Sequence, residues 1–217
     1  MAETDWARFL GWADPWLVPW FNLLDAPVTP LEILAFVLSL WMVWCNLRVR
    51  MAGWPLAIAS SFLYGVFFAK GKLYGEAALQ WVFIGVSLWG WRQWWLNRHQ
   101  VQQSDLGVRS LAGGSRWRLA ALALMLWPAM GYVLDRATDS DVPYFDALPT
   151  TLSLLGQYLL ARKYLENWPT WLAVNVISVA LFAYRGYWLT VVLYALFALL
   201  SVQGWRQWLQ LMKPVRP

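Results

Sequence analysis

Trp168-Pro169-Thr170-Trp171-Leu172-Ala173-Val174-Asn175-Val176-Ile177-Ser178 opens an apolar run that continues to Trp208. Its helix carries a carboxamide and a hydroxyl where lipid-facing residues would be expected. The run also repeats an earlier part of the chain in weakened form. Trp54-Pro55 returns as Trp168-Pro169, and Gly90-Trp91-Arg92-Gln93-Trp94 returns intact as Gly204-Trp205-Arg206-Gln207-Trp208, each shifted by 114 positions, as from Trp54 to Trp168. Leu38-Ser39-Leu40 and Leu152-Ser153-Leu154 obey the same shift, as do Arg48 and Arg162. A fixed offset over that distance marks a duplicated unit.

Composition sets the class. Of 217 residues 60% are hydrophobic and 13% charged, with 19 Trp, against about 25% charge in a soluble domain. An integral membrane protein is expected. The net charge of +5 does not indicate a nucleic-acid partner, because the basic residues lie in connections between apolar spans, the pattern of membrane topology. The single Cys45 excludes an intramolecular disulfide and reads as a small buried apolar residue. Cys45 and His99 form no metal or catalytic cluster, and no enzyme constellation occurs. The first residues are acidic (Glu3, Asp5, Asp14) and broken by Pro15, Pro19, Pro27 and Pro30, so no cleavable signal is expected. Residues 1–30 read as an interfacial segment, with Trp12, Trp16, Trp20 and Phe21 at the headgroup layer.

Seven spans follow, roughly 31–48, 54–70, 75–95, 117–134, 147–163, 168–185 and 187–209. Alternate connections divide the 17 Lys and Arg into five (Arg8, Lys70, Lys72, Arg136, Arg185) and twelve, which places the N-terminus outside and the C-terminus in the cytoplasm. The repeat shift advances four spans, an even number, so the two halves point the same way. The expected fold is an all-α membrane protein with seven transmembrane helices in a 3+1+3 parallel repeat. A first three-helix bundle (31–95), a cytoplasmic loop (96–116), a linker helix (117–134) kinked at Pro128, and a second bundle (147–209) make up the chain. Parallel repeats of this kind hold a ligand between the halves near mid-membrane.

The deep polar residues are uncharged. Gln80, Gln157, Asn175 and Gln203 bring amides that must be matched, and Ser178 follows Asn175 on one helix face. Tyr64 and Tyr194 add hydroxyls. Four Trp-x-x-Trp pairs occur (Trp41/Trp44, Trp91/Trp94, Trp168/Trp171, Trp205/Trp208). The second and fourth flank arginines at span ends and read as aromatic-belt anchors. Trp168 and Trp171 precede Asn175 and read as ligand contacts, with Trp44 and Asn46 as further candidates. Pro55 and Pro169 suit the first turns of their helices. No lysine lies inside a span, which excludes a retinal Schiff base, and no paired intramembrane carboxylate is available for a proton relay. Such a cavity suits a flat, cationic aromatic ligand bearing amide and hydroxyl groups, and offers a phosphate no counter-charge.

The block Arg162-Lys163-Tyr164-Leu165-Glu166-Asn167-Trp168, then Trp171, Asn175-Val176-Ile177-Ser178, Gly186-Tyr187, Gly204 and Trp208 resembles the PnuC family of bacterial nicotinamide riboside transporters. Leu73-Tyr74, Leu79-Gln80, Gly90-Trp91 and Trp94 carry the likeness in the first half. The resemblance implies a SWEET-like fold in the bacterial inner membrane. It also implies facilitated diffusion of unphosphorylated nicotinamide riboside without a coupling ion or cofactor, a cytoplasmic riboside kinase that traps the product, and a homotrimer. Relatives in the wider family carry thiamine or riboflavin. A carrier for one of those vitamins or for a sugar, or a seven-helix receptor without flux, is the alternative expectation.

Overall fold

The computed structural model describes residues 11–23, 26–70, 74–96, 107–137 and 142–212. Seven α-helices account for most of them: α1 (Pro30–Leu47), α2 (Gly53–Lys70), α3 (Tyr74–Leu96), α4 (Gly113–Ala137), α5 (Pro143–Ala161), α6 (Asn167–Tyr184) and α7 (Trp188–Leu211). Among the described residues three of these, α1, α4 and α7, are long and apolar enough to cross a membrane by composition alone. The other four are rich in Trp, Tyr, Gly, Pro, Ser and amide side chains, which lower hydropathy without adding charge.

α1 begins on an N-cap: the Thr29 hydroxyl accepts from the Glu32 backbone N–H at 3.2 Å, and Pro30 occupies the first helical position. α1 and α5 end alike. Val49 (φ 52°) and Lys163 (φ 55°) adopt the left-handed conformation. Arg50 N–H donates to the Cys45 carbonyl and Tyr164 N–H to the Leu159 carbonyl, both at 2.9 Å, the closure of a Schellman motif. Val49 and Lys163 are related by the 114-residue shift, so the duplication survives as backbone geometry.

The same shift governs the packing. α1, α2 and α3 pack in succession, as do α5, α6 and α7, and the two sets meet through α3 on α5 and α1 on α7. Within the first set, the Trp54 indole occupies the notch left by Gly90 and meets Trp94 edge-on at 5.6 Å. Within the second, Trp168 occupies the notch of Gly204 and meets Trp208 at 5.5 Å. Each set then reaches into the other. Trp94 Nε1–H donates to the Leu160 carbonyl at 3.3 Å, and Trp208 Nε1–H to the Asn46 and Leu47 carbonyls at 3.2 Å. Trp94 shifts onto Trp208 and Asn46 onto Leu160. The reciprocal bonds are therefore one interaction repeated about a pseudo-two-fold axis.

Several expectations need correction. Trp94 and Trp208 are buried and are not belt residues: the adjoining arginines lie at helix ends while the indoles turn inward to join the halves. Gly113, Gly114 and Arg116 belong to α4, which starts four residues before the expected span and continues past Pro128 to Ala137. α5 starts at Pro143, earlier than expected, because proline suits a first turn, and it stops at Ala161 where the chain turns left-handed. The 96–116 connection lies in part (97–106, with His99) outside the described residues. Its last residues are held firmly: the Glu166 carboxylate accepts from the Ser110 hydroxyl, the Leu111 N–H and Arg116, while Arg109 bridges Tyr164.

The N-terminal segment, where described, is no amphipathic α-helix but a short 3-10 turn (Gly11–Trp16) followed by a two-stranded hairpin, β1 (Phe21–Leu23) with β2 (Ala26–Val28). Proline at 15, 19 and 27 accounts for this. Trp12, Trp16, Trp20 and Phe21 are exposed, Trp12 stacks on Phe62, and Asp14 is paired with Lys70.

Candidate functional site

Three side chains, Tyr64 on α2, Ser178 on α6 and Tyr194 on α7, lie near one another. Ser178 and Tyr194 share a side-chain hydrogen bond. Tyr64 lies within electrostatic reach of Tyr194, and Gln80 packs beside it at Gly65. The repeat shift carries Tyr64 onto Ser178 and Gln80 onto Tyr194. Tyr64 and Tyr194 are half-buried. Tyr194 also stacks on Phe182 at 5.2 Å, which fixes its ring.

Asn175 lies about one turn from Ser178 on the same face. It is 2% exposed. Its Nδ2 donates to the Ser201 hydroxyl at 3.1 Å, and that hydroxyl donates to the Phe197 carbonyl. Its Oδ1 is buried without a hydrogen-bond partner, as is the Oε1 of Gln157 on α5. Buried amide oxygens left unmatched are costly, and a ligand amide or hydroxyl would satisfy them. Ser87, the repeat equivalent of Ser201, is fully buried with an unmatched hydroxyl.

The remaining expected residues go elsewhere. Trp168 is 3% exposed and spent on the Gly204 notch, so it supports the site without facing it; the Pro169 turn directs it into the bundle. Trp171 is half-buried and lies against Gly156 of α5, on the level of Gln157. Asn46 is buried against Gly53 at the α1–α2 turn, its Nδ2 on Met42 Sδ. Trp44 and Gln203 line a separate groove of about 350 Å³ between the ends of α1 and α7, where Arg48 and Arg50 cover the Trp44 ring at 4.0 and 5.0 Å. The other groove, about 470 Å³ and almost wholly apolar, lies between α4 and the outer faces of α5 and α6. Neither groove includes Gln80, Asn175 or Ser178. At the α5–α6 turn, burial lowers the basicity of the Lys163 ammonium, which sits over the Trp94 ring.

Glu32 and Asp146 were not singled out in the sequence. Both are carboxylates in the first turn of their helix, and the repeat shift superposes them; that relation was the available signal. Asp146 is bound to Arg185 at 2.6 Å. Glu32 is 5% exposed in the first turn of α1. Among the described residues no group of His, Cys, Asp and Glu could hold a metal.

Long apolar helices and a duplicated sequence unit are those of a helical membrane protein. The family model described as nicotinamide mononucleotide transporter matches residues 29–210, and the chain belongs to that family. It is 27% identical over 184 residues to the nicotinamide riboside transporter PnuC of Escherichia coli, covering 74% of this chain and 77% of the relative. It is also 27% identical over 190 residues to the riboflavin/roseoflavin transporter RibM of Streptomyces davaonensis, covering 87% and 88%. The crystal structure of the vitamin B3 transporter PnuC shares the fold, with a TM-score of 0.72 and 21% identity over 83% of this chain and 81% of that one.

Proposed function

We propose that this chain carries unphosphorylated nicotinamide riboside across the bacterial inner membrane by facilitated diffusion. All seven helices span the membrane in this reading, as two parallel bundles (31–95 and 147–209) joined by the linker helix, with the N-terminus outside. The halves rock about the axis, so the site opens to one side at a time. No ion is coupled; a cytoplasmic kinase traps the riboside, and three copies form the assembly. Gln80, Asn175 and Ser178 bind amide and ribose, Tyr64 and Tyr194 border the ring, and Trp171 with Gln157 closes the inner wall.

One observation carries this reading. The buried Oδ1 of Asn175 stands unmatched one turn from the Ser178–Tyr194 pair, in a chain whose relatives include PnuC. The riboside offers the amide N–H and hydroxyl donors such oxygens lack. The mononucleotide would bury a phosphate unpaired, at a cost of several kcal/mol, so it is expected to bind at least about 100-fold more weakly. Calorimetry with the riboside and the mononucleotide checks this; equal affinities would contradict it. The likeness to RibM over 88% of that relative favours a second reading, riboflavin carriage. A competition panel of nicotinamide riboside, riboflavin, thiamine and hexoses separates the two.

A further inference from the structure

The two junctions between the sets are equivalent under the repeat shift, yet one is closed and the other open. Where α3 meets α5, Trp89 stacks on Tyr158 at 6.0 Å with the ring planes 10° apart. The shift carries Trp89 onto Gln203 and Trp44 onto Tyr158. Where α7 meets α1, an amide therefore stands in place of an indole, and a groove of about 350 Å³ runs between the helix ends. Arg48 and Arg206 line it, with the carboxamides of Gln203, Gln207 and Gln210. The Arg48 guanidinium lies 4.0 Å over the Trp44 ring, a stacking that leaves its N–H edge for an acceptor.

Two guanidinium groups and three amides in one groove are donors for a phosphate. The surface that continues from the groove says which kind. α1 and α7 are both long and apolar enough to cross a membrane. On α1, Trp41 and Val37 follow Trp44 at helical spacing along one face, and both are exposed. On α7, Leu199 and Val192 follow Gln203 in the same way, and they too are exposed. Val37 lies about 16 Å of helix from Arg48, so a charged head in the groove has apolar surface running away from it on both helices. A soluble phosphate would make no use of that surface, whereas basic pockets between membrane helices hold the heads of anionic lipids. We infer that the groove is a binding site for an anionic phospholipid, its phosphate on Arg48 and Arg206 and its acyl chains along Trp41 and Leu199. Bound there, the lipid ties α1 of the first set to α7 of the second, beside the Trp208 bonds to the Asn46 and Leu47 carbonyls.

In the test, the delipidated full chain in detergent is titrated with phosphatidylglycerol and with phosphatidylcholine of the same acyl chains, and the first lipid bound is read by native mass spectrometry. Phosphatidylglycerol should bind about tenfold or more tightly. Arg48→Gln and Arg206→Gln should each reduce that preference about fivefold. Arg92→Gln and Arg162→Gln, which change the equivalent arginines at the closed junction, should leave it within about twofold. Gln203→Trp, which puts back the ring pairing of the closed junction, should abolish it. Parity of the two lipids in wild type overturns the inference, and so does an undiminished preference in Arg48→Gln and Arg206→Gln. Equal losses at both junctions would mark a general basic belt and overturn it as well. Glycerol 3-phosphate, a head without chains, should not displace bound phosphatidylglycerol; displacement at matched concentration would make the ligand a soluble phosphate and overturn the lipid assignment. If one arginine variant fails to fold, the other and Gln203→Trp decide.

Discussion

Gly90 and Gly204 leave room for an indole where any Cβ would overlap it. Gly204→Ala should therefore force Trp168 from its place and cost roughly 1–3 kcal/mol, read as a lower unfolding midpoint in detergent; an unchanged midpoint would contradict the notch. In the proposed reading, the amides of Asn175 and Gln80 serve the ligand more than the fold. Asn175→Ala and Gln80→Leu proteins should fold and lose nicotinamide riboside affinity by calorimetry, and unchanged affinity in both would remove them from the site. Asn175 and Ser178 could be read from the sequence because polar groups inside an apolar helix have to be explained. Glu32 escaped because an acidic residue in a first turn is usual and solvated. Its burial is set by tertiary packing, which no local pattern reveals.

At the scale of helices, the reciprocal indole bonds couple the last turns of α1 and α5 to the opposite half. Helix ends leave carbonyls without intrahelical partners, and Trp94 and Trp208 provide donors for them across the interface. We expect Trp208→Phe to keep the edge-on packing while losing the bond, at a net cost of about 1 kcal/mol, and to loosen this end of the interface. Cys45, buried beside the acceptor carbonyls, is a native reporter: alkylation by a maleimide should be faster in Trp208→Phe than in wild type. Equal rates would show that the bond does not hold the halves together. The sequence displayed the Trp-x-x-Trp spacing and its duplication but not the direction of each ring. An apolar helix buries tryptophan equally well against lipid or protein, and only the glycine opposite decides.

At the scale of the molecule, the class was legible from a low charge content, and the fold shared with the vitamin B3 transporter agrees with it; the fixed offset gave the repeat. Helix ends were less legible, since α4 and α5 start inside stretches that composition assigns to loops. The apolar groove between α4 and α5–α6 was not foreseen either, because it depends on where a linker helix lies against its neighbours. Central to the account is a pathway between two bundles that moves the riboside with no coupled ion. Uptake of labelled nicotinamide riboside into liposomes containing only this protein tests it most directly. Internal riboside should rise to the external concentration and stop there, at the same level with or without a sodium or proton gradient. Liposomes that never fill, or that accumulate riboside beyond the external concentration when a gradient is imposed, would contradict it.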